Sequence, residues 1–190
     1  MSVLVYTESW DGKFRKSTFE AVSYANETAK LLGTDLVAIS LGEVSNDELN
    51  KLGNYGAAKV ISASNINKSD GQAATAMIAE QANDANAIVF SNTYTAKMIA
   101  PRLSAKLKIG AISNVIEVAT STTPLTVKRK AFSSKAIEIA TVNSEKGFII
   151  FPTVEPFGKD LKSKLTVTAH KFSASAKEAI EKAGGEVITL

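Results

Sequence analysis

Apolar positions along this chain follow two alternating rhythms. Residues 2–6 form a short run rich in β-branched and aromatic side chains, closed by Thr7, Glu8, Ser9 and the turn pair Asp11-Gly12. That is the pattern of a buried strand and its exit loop. From Ser17 onward, Phe19, Val22, Ala25, Ala29 and Leu32 recur at three- and four-residue spacing, and Gly33 follows. This spacing predicts an amphipathic helix with a glycine stop. Residues 35–41 are again almost continuously apolar, as in a strand covered on both faces. Strand, helix and strand make one βαβ unit.

The alternation continues. Ser45 or Asn46 can cap a short helix whose first turn carries Asp47 and Glu48, where carboxylates suit the positive end of the helix dipole. Leu49 and Leu52 point to a core, Gly53-Asn54-Tyr55-Gly56 breaks the helix, and residues 59–62 read as a third strand. A helix over 72–83, a strand over 87–90 and a helix capped by Thr93 follow; Pro101 falls within the last and marks either a kink or its true first turn. After Gly110, strand-like runs at 114–119, 125–131, 135–142 and 147–151 alternate with turn-rich pieces, which predicts an antiparallel extension to a largely parallel sheet. Pro152, Pro156 and Gly158 punctuate a boundary. Residues 164–169, a helix capped by Ser173 and ending at Gly184-Gly185, and residues 186–190 then form a strand-helix-strand unit. The expected fold class is α/β, with domains over 1–157 and 158–190.

Composition narrows the chemistry. With 190 residues, 45% hydrophobic, 22% charged and a net charge of +3, the chain falls in the ordinary globular range. Residues 158–190 carry six basic and four acidic side chains, so the positive excess is densest in the tail. No cysteine is present, which excludes disulfides, thiolate nucleophiles and Cys-based metal sites, and His170 is the one histidine. No apolar run approaches the ~18 residues needed to cross a bilayer, and the first residues lack the pattern of a secretion signal. The expectation is a cytoplasmic protein with no membrane role.

A Gly-rich turn after the first strand would let backbone amides approach a phosphate, but neither GxGxxG nor GxxxxGK[ST] occurs. Glu8 and Asp11 in that loop repel phosphate. Asp47-Glu48 reads as capping, and Glu178 with Glu181 as a solvated helix face. No catalytic, cofactor-binding or metal-binding residue is assigned. Lys128, Arg129 and Lys130 form the densest basic run. They read either as the exposed edge of an antiparallel strand, where Lys discourages edge pairing, or as a docking surface for an acidic partner or a phosphate-bearing cofactor.

Several segments carry a resemblance. Met1-Ser2-Val3-Leu4-Val5-Tyr6-Thr7-Glu8, the helix over 17–33, Leu52-Gly53-Asn54-Tyr55-Gly56-Ala57-Ala58-Lys59-Val60, Ala100-Pro101-Arg102-Leu103-Ser104-Ala105-Lys106-Leu107 with Ile112-Ser113-Asn114-Val115, and Val127-Lys128-Arg129-Lys130-Ala131-Phe132 together resemble the N-terminal domain of the electron transfer flavoprotein alpha subunit, in order, over residues 1 to about 157. The resemblance implies a Rossmann-like three-layer sandwich that pairs with a beta subunit, with Arg102, Lys128, Arg129 and Lys130 as candidate docking residues. In that family the FAD is held mainly by a second alpha-subunit domain, and these 190 residues leave no room for it. The resemblance therefore implies a non-enzymatic scaffold and docking domain without bound cofactor, inactive in electron transfer alone.

The tail resembles something else. Leu165-Thr166-Val167-Thr168-Ala169-His170-Lys171-Phe172-Ser173 through Gly184-Gly185-Glu186-Val187 is similar to the end of large-subunit ribosomal protein fifteen. That resemblance implies contact with ribosomal RNA through Lys159, Lys162, Lys164, His170 and Lys171. Two resemblances meeting near Pro156-Phe157-Gly158 imply a chimera, whose tail either closes the sheet of the body or stands apart. The two function classes are a docking scaffold and an RNA-binding segment on an α/β body. A small-molecule module is a third, disfavoured by the absent glycine fingerprint. A homodimer would hide apolar surface left without a partner.

Overall fold

In a computed structural model, the structure describes residues 2–122, 124–142, 147–153, 166–169, 174–182 and 184–189. The chain divides into two compact units, Met1–Glu155 and Pro156–Leu190.

The first unit opens with β1 (Ser2–Thr7), a miniature hairpin of β2 (Ser9–Trp10) and β3 (Lys13–Phe14), and α1 (Lys16–Leu32). It continues through β4 (Asp35–Leu41), α2 (Asn46–Asn50), a 3-10 turn over Lys51–Tyr55, β5 (Lys59–Ala63), α3 (Gly71–Gln81), β6 (Ala85–Phe90) and α4 (Tyr94–Leu107). Then come β7 (Gly110–Val115), β8 (Ser121–Thr122), β9 (Leu125–Ala131), β10 (Ala136–Val142) and β11 (Phe148–Pro152). Nine of these strands form one sheet in the order β10-β9-β7-β11-β6-β1-β4-β5, with β8 paired to β9. Pairs from β7 to β5 along this order are parallel, and the β9 pairs are antiparallel.

Side-chain alternation along the central strands builds a core on each face. Val3, Val5, Ala87, Val89, Phe148 and Ile150 meet Val22, Tyr24 and Ala25 of α1 on one face. Leu4, Tyr6, Ile88, Phe90, Ile149 and Phe151 meet Ala74 and Ile78 of α3 and Ile99 and Leu103 of α4 on the other. Because successive strand residues face opposite sides, a sheet buried on both faces needs continuous apolar runs, which these strands have. Each buried Leu or Ile contributes about 1.5–3 kcal/mol. The architecture is the three-layer α/β sandwich that the alternating pattern implies.

Helix ends follow local chemistry. Gly33 caps α1 at φ 63°, and the Gly33 and Thr34 N–H groups donate back to the Lys30 and Ala29 carbonyls. Ser45 caps α2, Asp70 caps α3, and Thr93 caps α4 by accepting from the Ala96 N–H at 3.2 Å. Pro101 lies inside α4 on its exposed side, so the helix runs through it rather than starting there.

Three expectations are corrected. Residues 147–151 were expected in the antiparallel extension. Instead β11 inserts between β6 and β7, parallel to both, because all five of its residues are buried and only the middle of the sheet covers both faces. The strand expected over 114–119 lies at Gly110–Val115, ending where Asn114 adopts φ 60° and the register to β11 slips. The exit loop after β1 is a hairpin whose Asp11-Gly12 turn has φ 48° and 72°, matching the twist of its two short strands.

In the second unit, β12 (Thr166–Ala169) pairs in parallel with β13 (Glu186–Thr189), in register Thr166↔Glu186 through Ala169↔Thr189, and α5 (Ala174–Lys182) connects them. Gly184, at φ 74°, and Gly185 close α5 by donating to the Glu181 and Ile180 carbonyls.

Candidate functional site

Two surfaces of the first unit carry side chains able to recognise something. The first is a cleft of about 580 Å³ at the carboxyl ends of β1, β4 and β5, lined by Trp10, Asp11, Glu43, Asn65, Asn67 and Lys68 among others. Open α/β sheets bind ligands at this end. Here the β2–β3 hairpin occupies the place of a phosphate-binding loop. Lys68 pins it: its ammonium donates to the Ser9 carbonyl, lies 3.8 Å from Glu8 Oε1, and stands 3.9 Å from the Trp10 ring centroid. The Arg15 guanidinium lies 4.1 Å from the same centroid. Glu8 is 1% exposed, and neither carboxylate oxygen has a hydrogen-bond partner. Burial, reinforced by the negative charge of Glu8, raises the pKa of the Tyr6 phenol well above its ordinary value.

These residues do not fit the pyrophosphate of a dinucleotide such as FAD. The one glycine of the turn, Gly12, serves the hairpin, and the loop carries the buried carboxylate of Glu8, which repels a phosphate. The α2 carboxylate is a tether. Glu48 accepts from Lys51 at 2.6 Å and from the Phe14 N–H at 3.1 Å, which hold its pKa below the ordinary glutamate value. Among the described residues no group of three His, Asp or Glu side chains is placed to hold a metal ion.

The second surface is the β9–β10 hairpin. Its register sets Ile139 across from Lys128, Glu138 across from Arg129 and Ile137 across from Lys130. Val127 of β9 and the neighbouring Ala140 and Val142 of β10 pack on the α1-side core, so Ile137 and Ile139 face the other way and remain 66% and 68% exposed. The hairpin tip, Phe132-Ser133-Ser134, has three consecutive left-handed residues, and Phe132 is 83% exposed. Beside it lies a recess of about 430 Å³ lined by Asn114, Arg129, Lys130, Glu138 and Thr153 among others.

The basic run is therefore divided. Lys128 pairs with Glu117 at 3.0 Å and Arg129 with Glu138 at 3.8 Å, while Lys130 has no ion-pair partner among the described residues. The edge reading of the run is corrected: β9 lies inside the sheet, and β10 is the edge. Arg102 is exposed on α4 and shares no hydrogen bond or ion pair with the hairpin among the described residues. Lys159, Lys162, Lys164, His170 and Lys171 lie outside the described residues. Ile137, Ile139 and Phe132 were not singled out from sequence, because alternating isoleucines read as a core-facing strand.

The open α/β sandwich with an antiparallel hairpin is an architecture that hosts many functions, so the fold alone assigns none. The chain belongs to the electron transfer flavoprotein domain family, whose model matches residues 3–184. It is 28% identical over 158 residues to the electron transfer flavoprotein subunit alpha of Bacillus subtilis, covering 81% of this chain and 47% of that protein. The subunit alpha of Syntrophomonas wolfei is 28% identical over 157 residues, 80% of this chain and 47% of that protein. The chain thus spans about half the length of these curated relatives. A 31-residue segment is 71% identical to large ribosomal subunit protein uL15 of Christiangramia forsetii, covering 16% of this chain and 21% of that protein. Both resemblances read from the sequence, to the flavoprotein alpha subunit and to the ribosomal protein, are thereby established. Among the described residues no helix is long and apolar enough to cross a membrane.

Proposed function

We propose that residues 1–157 act as the scaffold and subunit-docking domain of an electron transfer flavoprotein alpha subunit, receiving a beta subunit on the β9–β10 hairpin. The carrying observation is the pair Ile137 and Ile139, exposed on a strand whose outer edge is unpaired among the described residues. An open edge bearing exposed aliphatic residues is an invitation to association that soluble proteins otherwise blunt. Lys128 and Lys130 share that face and supply positive charge at its margin, with Arg129 behind them and Arg102 as a second basic contact on α4. The domain works by shape and adhesion, in the cytoplasm and without chemistry of its own. Titration of the purified chain with a flavoprotein beta subunit tests this: a saturable one-to-one complex is expected, and no binding across roughly 1 to 100 µM overturns it.

These residues are not proposed to hold flavin by themselves, since the β1 turn does not fit a pyrophosphate. The protein alone is expected to be colourless near 450 nm. The high identity of the 31-residue segment supports a second reading, a chimera whose tail keeps an RNA-contacting role through Lys159, Lys162, Lys164, His170 and Lys171. Binding to ribosomal RNA fragments that weakens steeply with salt would support it; salt-insensitive or absent binding would remove it.

A further inference from the structure

Two strands of the parallel sheet end at the same recess. Asn114, the last residue but one of β7, and Thr153, which follows β11, both line the hollow of about 430 Å³ beside the β9–β10 hairpin. Open α/β sheets take ligands at the carboxyl ends of their parallel strands, and this volume falls within the ~300–1,000 Å³ of small-molecule sites. The recess shares no described residue with the Trp10 cleft. Nor is it the face of Ile137 and Ile139. Strand alternation puts Arg129 and Glu138 on the opposite side of the hairpin, in line with the core-facing Val127 and Ala140.

The recess holds donors that lack acceptors. The Nε atom of Arg129 is buried without a hydrogen-bond partner, and the nearest Glu138 oxygen, 3.8 Å away, is beyond hydrogen-bond reach. A buried charged donor of this kind needs an acceptor, and an incoming oxyanion supplies one. Ser133 and Ser134 line the wall at the hairpin tip, and among the described residues neither of their N–H groups donates to a backbone carbonyl. Successive amides in such a turn form a concave cradle for an anion. Four of the six left-handed non-glycine residues described, Asn114, Phe132, Ser133 and Ser134, border this one recess. Conformations of this kind gather at ligand clamps.

Charge and shape select the ligand. Arg129 and Lys130 outweigh Glu138, the single acid among the described lining residues, so the recess is net positive. Its donors come from three walls: the guanidinium on β9, the tip amides, and the Asn114 side chain on β7. That arrangement suits a tetrahedral oxyanion better than a flat carboxylate, which one guanidinium can satisfy alone. Phe132, exposed at the rim, offers its ring to a flat apolar group. We propose that this recess binds a phosphate monoester whose organic part carries a flat ring. Arg129 and the amides of Ser133 and Ser134 hold the phosphoryl oxygens, and Phe132 packs on the ring. Glu138, half-exposed, steadies the empty guanidinium and swings aside for the anion. The site does not rest on beta-subunit docking, which uses the other face of the hairpin.

Titration of the isotope-labelled full chain at fixed ionic strength, followed by NMR, tests this with methyl phosphate, phenyl phosphate and benzoate. Phenyl phosphate should shift the Arg129 Nε–H signal and the Ser133 and Ser134 amides saturably, with a dissociation constant of about 0.1–1 mM. Methyl phosphate should bind about threefold weaker or more, and Phe132→Ser should erase that difference. Arg129→Gln should weaken phenyl phosphate about tenfold. Glu138→Gln should tighten it about threefold by removing the competing carboxylate, and this variant reads the site even where Arg129→Gln fails to fold. Shifts that do not saturate below about 20 mM, or that spread evenly over the chain's lysines, overturn the proposal. So does benzoate binding as tight as that of phenyl phosphate, which would make the recess a reader of carboxylates on a protein partner. An unchanged affinity in Glu138→Gln overturns it too, by showing that Arg129 and Glu138 form a structural pair. Phenyl phosphate binding by a chain that takes no beta subunit overturns the docking reading alone, whereas beta-subunit binding by a chain blind to phenyl phosphate overturns the recess alone.

Discussion

Lys128 stands directly across from Ile139 in the β9–β10 register, so a cation already committed to Glu117 at 3.0 Å shares a face with an exposed aliphatic side chain. Lys130 holds the corresponding position across from Ile137 without an ion-pair partner among the described residues. Two lysines two residues apart are therefore not equivalent. Lys130→Glu should weaken beta-subunit binding by roughly 3- to 10-fold, mostly through a slower association rate that converges on wild type as salt rises. Lys128→Ala should stay within about twofold, because it trades one exposed ion pair worth at most ~1 kcal/mol. Surface plasmon resonance at two salt concentrations separates the pair, and equal effects would show that the charges act only as a sum.

Gly147 leads into β11 at φ 102°, and a Cβ there would lie 2.8 Å from the carbonyl oxygens of Ala85 and Asn86. Those atoms are backbone of the neighbouring stretch and cannot step aside. Gly147→Ala should destabilise the protein by about 2–4 kcal/mol, combining left-handed strain with overpacking in the middle of the sheet. Gly33→Ala is the control: φ is 63°, nothing lies within 4 Å of the added carbon, and the cost should stay near ~1 kcal/mol. Denaturant unfolding of both variants gives the comparison, and similar losses would mean that the crowding at Gly147 relaxes.

How much of this was legible in the sequence depends on what each residue had to declare. The α1 spacing ending at Gly33 stated a helix, and the structure supplies it at Lys16–Leu32 because one face must cover the sheet. The apolar run 147–151 stated a buried strand but not its neighbours. Its place between β6 and β7 follows from a return across the sheet that no local pattern encodes. Lys128, Arg129 and Lys130 were visible as a run, yet strand alternation divides them between two faces and the register gives two of them acidic partners. Ile137 and Ile139 misled by parity, since Ala140 and Val142 hold the core side of that strand. The Glu8–Lys68 contact joins residues sixty apart and left no mark in composition or spacing.

Glu48 gives a pH signature. Its Lys51 contact and the Phe14 N–H stabilise the carboxylate, so its pKa is lower in the folded than in the unfolded protein. A depressed acid contributes stability that is complete above the unfolded-state value and is lost as pH falls through the folded-state value. Wild type should therefore lose stability on acidification below the ordinary glutamate range. Glu48→Gln should be less stable near neutrality by about 1–2 kcal/mol and should converge on wild type in acid. Thermal melts from pH 7 down to about 3 test the sign. A gap that widens in acid would show that the tether does not act through charge.

Trp10 reports on the cleft because it is the chain's one tryptophan and lies between two cations, Lys68 and Arg15, each near 4 Å from its ring. Removing Lys68 does two things at once. It strips a cation from the indole, which shifts the fluorescence, and it leaves Glu8 buried at 1% exposure without its ion-pair partner. Breaking a fully buried pair costs about 3–5 kcal/mol, but Lys68 is a quarter exposed, so Lys68→Met should cost less, about 1–3 kcal/mol. Glu8→Gln removes the orphaned charge while keeping the side-chain shape. The double variant Glu8→Gln/Lys68→Met should therefore recover much of the loss, with a coupling of about 1 kcal/mol or more between the sites. The fluorescence shift should persist in the double variant, since the indole still lacks its cation. Additive losses would mean that Lys68 stabilises the hairpin through the Ser9 carbonyl and Trp10 rather than by neutralising Glu8.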